Sequence, residues 1–224
     1  TRFVQEHWHA RLIRNERPTG YTKAANQGLR AATGEVMVLL NSDTIVTPRW
    51  LDHLVACLGS DPRIGIAGPL SNAASYQSIP ERFDPRGDWA LNPTPPDWDL
   101  DTIAAAIARM STRAFPRVPF VNGFCFAISR AVIDAIGYLD EEGFPDGYGE
   151  ENDYCLRAAD AGFELAIADQ AYVFHAKSRS YTHERRRVLG KVGRATLLRK
   201  YGEARLAAGE ALLRDEPHLA AMRS

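Results

Sequence analysis

Apolar positions along this chain alternate between short unbroken runs and helical spacings. Val36-Met37-Val38-Leu39-Leu40 runs without interruption from Glu35 to the polar cluster Asn41-Ser42-Asp43-Thr44. A run this short and this apolar predicts a central strand buried on both faces, as in the parallel sheet of an α/β fold. Upstream, Tyr21, Ala25, Gly28, Leu29 and Ala32 keep helical spacing, and Gly34 ends that helix. Gly28 costs about 1 kcal/mol against alanine inside a helix, which points to close packing or a ligand there. Downstream, Thr47-Pro48 reads as an N-cap and first-turn proline. The helix it opens carries Leu51, Leu54, Val55 and Leu58 on one face, and Gly59 closes it. Ile64-Gly65-Ile66-Ala67-Gly68 is a second short buried strand, which completes a βαβ unit.

The remaining pattern is less regular at first. Leu12-Ile13 reads as a short strand and residues 15–20 as a loop. Residues 69–98 hold six prolines with Ser71, Asn72, Ser75, Trp89 and Trp98, a long irregular segment. Loops of that length within a domain are usually functional or disordered. Asp99 to Met110 predicts a helix through Ile103 and Ile107. Val118 to Ile128 predicts strand, bend at Asn122-Gly123, strand. Ser129 caps a short helix ended by Gly137, and a further helix runs from Glu150 to Gly162. Two strands follow, Phe163 to Ala168 and Ala171 to Phe174, with His175 at the end of the second. Val188, Val192, Ala195, Leu198 and Tyr201 give the next stretch an apolar helical face up to Gly202. The tail to Ser224 reads as a helix with a frayed end. These boundaries divide the chain into a domain over 1–202 and a helical tail over 203–224.

Composition narrows the class. Hydrophobic residues make up 45%, charged residues 25%, and the formal net charge is -1. That balance is ordinary for a globular protein and implies no nucleic-acid partner. Cys57, Cys125 and Cys155 are scattered, odd in number and lack CxxC spacing, which argues against a disulfide framework or a zinc site. No apolar run approaches a transmembrane length, and no leader pattern opens the chain.

Charge is uneven, and that changes the picture. Asp140, Glu141, Glu142, Asp146, Glu150, Glu151 and Asp153 crowd one stretch with no Lys or Arg between Tyr138 and Leu156. Acidic residues at a helix start are favoured by the dipole, so part of this cluster needs no function. From Lys177 to Lys200 the chain is strongly basic. Asn41 to Asp43 falls just past the carboxyl end of a strand, where open α/β sheets bind ligands. An aspartate there, a histidine at another strand end and a carboxylate opposite can hold a divalent cation together with substrate phosphates. Imidazole shifts the preference toward Mn²⁺. Taken singly, each feature has a plainer reading as a polar turn, a solvated helix face or a structural histidine.

Two motifs add to this. Asn15, Gly20, Ala24, Asn26-Gln27-Gly28-Leu29, Ala32, Gly34-Glu35 and Leu39-Leu40-Asn41-Ser42-Asp43 resemble one signature of the family 2 glycosyltransferases. Phe144, Tyr148, Glu150-Glu151-Asn152-Asp153, Cys155-Leu156-Arg157 and Ala161-Gly162 resemble that family's acidic segment. The resemblance covers residues 12–202. It implies a GT-A (Rossmann-like) fold, a mixed, mostly parallel sheet flanked by helices. It implies that Asp43 and His175 bind Mn²⁺ or Mg²⁺, and that Asn15, Gly20, Asn26, Asn41 and Ser42 contribute to the donor site. Glu151 stands where the family has its general base, with Asp153 as rival and Glu150 beside them. The implied reaction is inverting transfer of a sugar from a nucleotide-diphosphate donor to an acceptor hydroxyl.

The resemblance also implies a setting: bacterial cell-surface polysaccharide assembly, in the cytoplasm at the inner face of the membrane. The acceptor would be a glycan or a lipid-linked glycan. The basic helix would reach the diphosphate or an anionic membrane, and a homo-oligomer is compatible with the pattern. Trp89 and Trp98 would stack on the acceptor or pack their loop. Two departures matter. Asn41 replaces the first Asp of the family's DxD, and Glu151 replaces the usual Asp. The family's opening nucleoside-binding unit is not in this sequence, so the domain reads as N-terminally truncated. Two rival functions follow: a degenerate, non-catalytic glycan- or partner-binding domain, and a metal-dependent phosphohydrolase.

Overall fold

The computed structural model describes residues 10–177 and 183–224. Helix α1 (Tyr21–Ala31) leads to strand β1 (Val36–Leu40) and the short β2 (Thr44–Val46). Helix α2 (Trp50–Ser60) and strand β3 (Ile64–Leu70) follow, then a long loop with one 3₁₀ turn at Ser75–Gln77. Helix α3 (Leu100–Met110), strand β4 (Cys125–Ser129), helix α4 (Arg130–Ile136) and helix α5 (Glu150–Asp160) come next. Strand β5 (Glu164–His175) precedes helices α6 (His183–Tyr201), α7 (Glu203–Arg214) and α8 (Pro217–Ala221).

The five strands form one mixed sheet in the order β1-β4-β3-β5-β2. The sheet is mixed as expected, but the strand directions correct the reading of a mostly parallel one. Among the described residues only β3 and β5 pair in parallel; β1–β4, β3–β4 and β2–β5 are antiparallel. Periodicity sets which residues are strand but not which way a strand returns, and the long segment 71–124 lets β4 enter against both its neighbours.

The same limit explains β1. Its apolar run predicts a centre strand, yet it lies at the end of the strand order, where only Met37 is fully buried and Leu40 is 41% exposed. The central place belongs to β3, all seven residues of which are buried.

Residues of the sheet feed two apolar layers, with a period of two that is broken where the β3–β5 register shifts between Ile64 and Ile66. Ile64, Ala67, Cys125, Ala127, Ala166 and Val173 meet Leu54, Cys57 and Leu58 of α2. On the other face, Ile66, Leu70, Phe126, Ile128, Leu165 and Ile167 join the larger core beneath the remaining helices. Leu206, Leu213, Leu219 and Met222 belong to that core, so the end of the chain is two packed helices rather than one frayed one.

Several local expectations change for identifiable reasons. Residues 12–13 form no strand. Only the last part of 118–128 is strand. The two strands expected over 163–174 are assigned as the single β5, in which Asp169 and Gln170 are buried and the pairing with β3 shifts register between Ala168 and Tyr172. Thr47 does not cap α2: its hydroxyl donates to the Tyr172 carbonyl at 2.5 Å, and Arg49 occupies the cap position. Gly28 needs no closeness, since a Cβ there would meet nothing within 4 Å. Cys57, Cys125 and Cys155 are buried free thiols. No described helix is long and apolar enough to cross a membrane.

One glycine is essential to the packing. A Cβ on Gly193 of α6 would run into the backbone carbonyl of Tyr148, directly before α5. Overpacking of this kind costs about 1–3 kcal/mol. Gly193→Ala is therefore expected to lower stability by about 2 kcal/mol in urea unfolding; an unchanged midpoint would mean that α6 is not seated there.

Candidate active site

The carboxyl ends of β1 and β5 and the amino end of the antiparallel β4 open onto a cleft of about 1040 Å³. Its lining includes Asn15, Gly20, Asn41, Ser42, Asp43, Glu150, Glu151 and His175, eight of the residues singled out in the sequence. A smaller pocket of about 370 Å³ adjoins it, and Asn122 and Glu151 line both.

Strand pairing brings Asp43 to His175. Thr44 sits opposite His175 in the β2–β5 register, and the Ala176 amide donates to the Asp43 carbonyl at 2.9 Å. The His175 Nε2 lies 3.4 Å from Asp43 Oδ1. The imidazole is fixed from every side. Nδ1 is 3.0 Å from the Ala73 carbonyl, the ring stacks on Phe124 at 5.1 Å and 13°, and the Asn72 side chain bonds both backbone groups of His175. Both neighbours only accept, and the shorter contact, Nδ1 to the Ala73 carbonyl, favours the proton of the neutral ring there, which turns the Nε2 lone pair toward Asp43. Burial outweighs the Asp43 charge and lowers the His175 pKa, so the ring is neutral at pH 7.

That arrangement suits a divalent cation: one imidazole in the ligating tautomer, one carboxylate, and a second layer that holds the ring. Among the described residues no three His, Cys, Asp or Glu side chains gather as a complete metal cage. Two protein ligands with the remainder supplied by phosphates and water fit Mg²⁺ or Mn²⁺ chemistry.

Across the cleft, helix α5 begins with Gly149 at φ 126 and carries Glu150 and Glu151 in its first turn. The Glu151 Oε2 accepts from the Gly149 amide at 3.1 Å, and the side chain lies over Gly123, where a Cβ would press on it at 3.4 Å. Glu150 is buried, and its Oε2 has no hydrogen-bond partner. The helix dipole and backbone amides favour ionisation at this position, but burial wins. Desolvation, followed by the Glu151 charge, raises the Glu150 pKa well above its ordinary value. Glu151 is also raised, chiefly by burial, with backbone amides and Glu150 pulling the other way. Glu150 therefore holds a proton more readily and Glu151 is the carboxylate of the pair.

Tyr21, also lining the cleft, is driven upward by burial and by both glutamates, so its hydroxyl stays protonated. Gly20 is required here: it has φ 86, and any Cβ would enter the Pro145 carbonyl.

Two expected site residues do not reach the cleft. Asp153 is fully buried and bonded to Arg157 Nε at 2.8 Å, Tyr201 OH at 2.7 Å and Lys200 Nζ, with Lys200 also 2.9 Å from Asp140. It ties α5 to α6 and does not line the cleft. Two residues beyond Glu151, about 200° round a helix of 3.6 residues per turn, it leaves on the side that packs against α6. Asn26 is buried too; its amide bonds Leu139 O at 2.9 Å and Glu141 Oε1 at 2.8 Å, and its Oδ1 accepts from Leu139 N. It anchors the acidic loop to α1 and does not touch the cleft.

Asn15 is half in each role, lining the cleft while exchanging two amide bonds with Gln27. The basic stretch also divides. Lys177 lines the cleft, whereas Lys200 and Arg194 are engaged in ion pairs elsewhere. Sequence reasoning missed Asn72 and Gln77. Gln77 Oε1 accepts from the Asn122 amide at 2.6 Å and its Nε2 donates to Pro69 O, which fixes the bend between the two pockets. Their one signal was membership of the long polar loop.

The raised Glu150 pKa predicts a stability trend. The carboxyl is protonated in the fold at pH values where the unfolded chain ionises it. Its stability contribution is thus complete below the ordinary value of 4.5 and falls as pH rises toward the folded value. Glu150→Gln lacks that loss, so its melting temperature should gain on the parent from pH 4.5 to 8. A difference that stays constant with pH would show Glu150 to be unshifted.

A model of the "Glycosyltransferase like family 2" matches residues 2–192. The inactive polypeptide N-acetylgalactosaminyltransferase-like protein 5 of Macaca fascicularis is 29% identical over 171 residues, covering 74% of this chain and 37% of that protein. The chain spans about a fifth to two fifths of the length of the curated relatives it matches. A structure of GalNAc-T7 with UDP, GalNAc and Mn²⁺ aligns with a TM-score of 0.54 at 22% identity, over 94% of this chain and 41% of that one. A mannosyltransferase of Pyrobaculum calidifontis in complex with GDP-Man and Mn²⁺ aligns at 0.53 and 17% identity, over 99% of this chain and 69% of that one. The two structures share its fold, and the chain belongs to the glycosyltransferase-like family 2, with a GT-A fold.

Proposed function

We propose that this domain transfers a sugar from a nucleotide-diphosphate donor to an acceptor hydroxyl with inversion, with a divalent cation at Asp43 and His175. The observation that carries the reading is the position of Glu151, which lines both the cleft shared with Asp43 and His175 and the adjoining pocket. A donor in the cleft and an acceptor in the pocket would then meet at this carboxylate.

Each residue has a task. Asp43 and His175 hold the cation, which when bound supplies Lewis-acid stabilisation of the diphosphate leaving group. Asn41, Ser42, Asn15 and Gly20 shape the donor wall. Glu151 takes the proton from the acceptor hydroxyl as that oxygen attacks the anomeric carbon, the general-base role. Glu150, protonated beside it, leaves Glu151 as the charged member. The Mn²⁺ and nucleotide-sugar complexes of the structural neighbours support the same donor chemistry.

A non-catalytic binding role is the second reading, favoured by the name of the inactive relative. The pinned His175 tautomer and the raised Glu151 pKa weigh against it, since binding alone requires neither. Bacterial polysaccharide assembly at the inner membrane face rests on the family resemblance, and no residue of the site carries it.

Glu151→Gln is expected to lower transfer by about 10²–10⁴-fold while metal-dependent nucleotide binding persists in calorimetry. Full transfer in that variant would remove Glu151 from the mechanism. Asp43→Ala should weaken UDP or GDP binding in Mn²⁺ but not in chelator; an equal loss in both would give Asp43 a structural role. Transfer in the parent should rise with pH through the raised Glu151 pKa, because only the carboxylate accepts a proton. A rate flat across the acid range would contradict that assignment.

A further inference from the structure

The 370 Å³ pocket beside Glu151 is not built by the family-matched part of the chain alone. One wall is helix α7, through Leu206, Glu210 and Leu213, which lies beyond the matched residues 2–192. The wall is fixed in place. A Cβ on Gly209 would enter the Phe120 ring, so α7 sits directly on the pocket floor. Past α8, Arg223 donates to Ser78 O at 3.0 Å and to Tyr76 O, and Arg82 donates to Arg214 O at 2.8 Å. The last helices thus clamp the loop that carries Ser75, Tyr76 and Gln77.

The chemistry of the pocket is selective. Its one basic lining residue among those described is Arg194, and Arg194 is already paired with Glu210 at 3.0 Å and with Glu203 at 3.8 Å. Glu151 adds a carboxylate at the inner end. An anionic group entering here would find no uncompensated cation and would face a negative charge. What remains is neutral hydrogen-bonding capacity from Ser75, Asn122 and Asn152, with an aromatic patch at the rim. In that patch Trp89, 40% exposed, stacks on Phe83 at 4.7 Å and meets Tyr76 edge-on at 5.0 Å. Aromatic surface joined to neutral donors and acceptors suits a polyhydroxylated ring, apolar on its faces and polar at its edge. The volume falls within the range of about 300–1,000 Å³ for small-ligand sites.

We infer that this pocket binds a neutral sugar unit as acceptor, and that the Arg194–Glu210 pair across α6 and α7 excludes phosphorylated acceptors. The inference rests on the transferase reading above. It assigns Trp89 to contact with the sugar and Glu210 to specificity, by neutralising Arg194.

The test uses the full chain with saturating UDP and Mn²⁺. Methyl glycosides of glucose, galactose, mannose and N-acetylglucosamine, the matching sugar 6-phosphates, and a Ser/Thr peptide are titrated by saturation-transfer NMR and calorimetry. At least one neutral glycoside should bind, and its 6-phosphate about tenfold more weakly or worse. Trp89→Ala, with Trp89→Phe as a milder variant, should weaken the glycoside about tenfold or more. Glu210→Ala removes the nearer of the two carboxylates on Arg194 and should narrow the preference against phosphate by about tenfold, the scale of one charge-assisted hydrogen bond. Binding of the peptide or the phosphate in preference to every glycoside by the parent chain overturns the inference. So does a glycoside affinity indifferent to both Trp89 variants, or an unchanged phosphate preference in Glu210→Ala. Failure of UDP to bind would instead count against the transferase reading, and the glycoside titrations without nucleotide would still decide the pocket.

Discussion

The site depends first on the antiparallel pairing of β2 with the end of β5. Three residues, Thr44 to Val46, pair with Val173 to His175 and bring the turn after β1 against the last residue of β5. Without that register Asp43 and His175 would belong to different parts of the surface. Backbone pairing sets their approach, and the Asn72, Ala73 and Phe124 contacts then fix the ring. The approach of Asp43 to His175 thus rests on a strand of only three residues, supported by a side-chain cap on His175 from the long loop.

The opposite wall works by a contest of electrostatic effects. The start of α5 offers amides and a helix dipole that would favour two ionised carboxylates. Burial and mutual repulsion oppose that and win at Glu150. One carboxyl pays the electrostatic cost by keeping its proton, and the neighbour stays available to accept one. Asp153, on the same helix, takes the other course: Arg157, Lys200 and Tyr201 satisfy it fully, and it holds α5 against α6. Neighbouring acidic residues on one helix therefore divide into a pair that lines the cleft and a structural anchor, according to the elements they face.

The C-terminal helices complete the same region. Leu206, Leu213 and Leu219 enter the main core, while Arg223 and Glu210 turn toward the loop and pocket beside Glu151. The charged stretch over 177–200 is correspondingly not one continuous cationic face, since Arg194 and Lys200 are each neutralised by carboxylates from other elements.

The sequence by itself determined the local elements and the chemical types: α1, α2, α3 and α5, the apolar runs of β1 and β3, the acidic helix start, and Asp43 and His175 at strand ends. These follow from periodicity, turn residues and short motifs, which act over a few residues. Tertiary structure decided the strand directions, the place of β1 at the end of the strand order among the described residues, and the joining of two apolar runs into β5 across a register shift at Asp169 and Gln170. It also separated Glu151 from Asp153 and removed Asn26 from the donor wall, because burial and partners depend on which distant element packs against each side chain. Asn72 and Gln77 gained their roles only there. A lone amide in a loop has no sequence signature until folding places a backbone group within its reach.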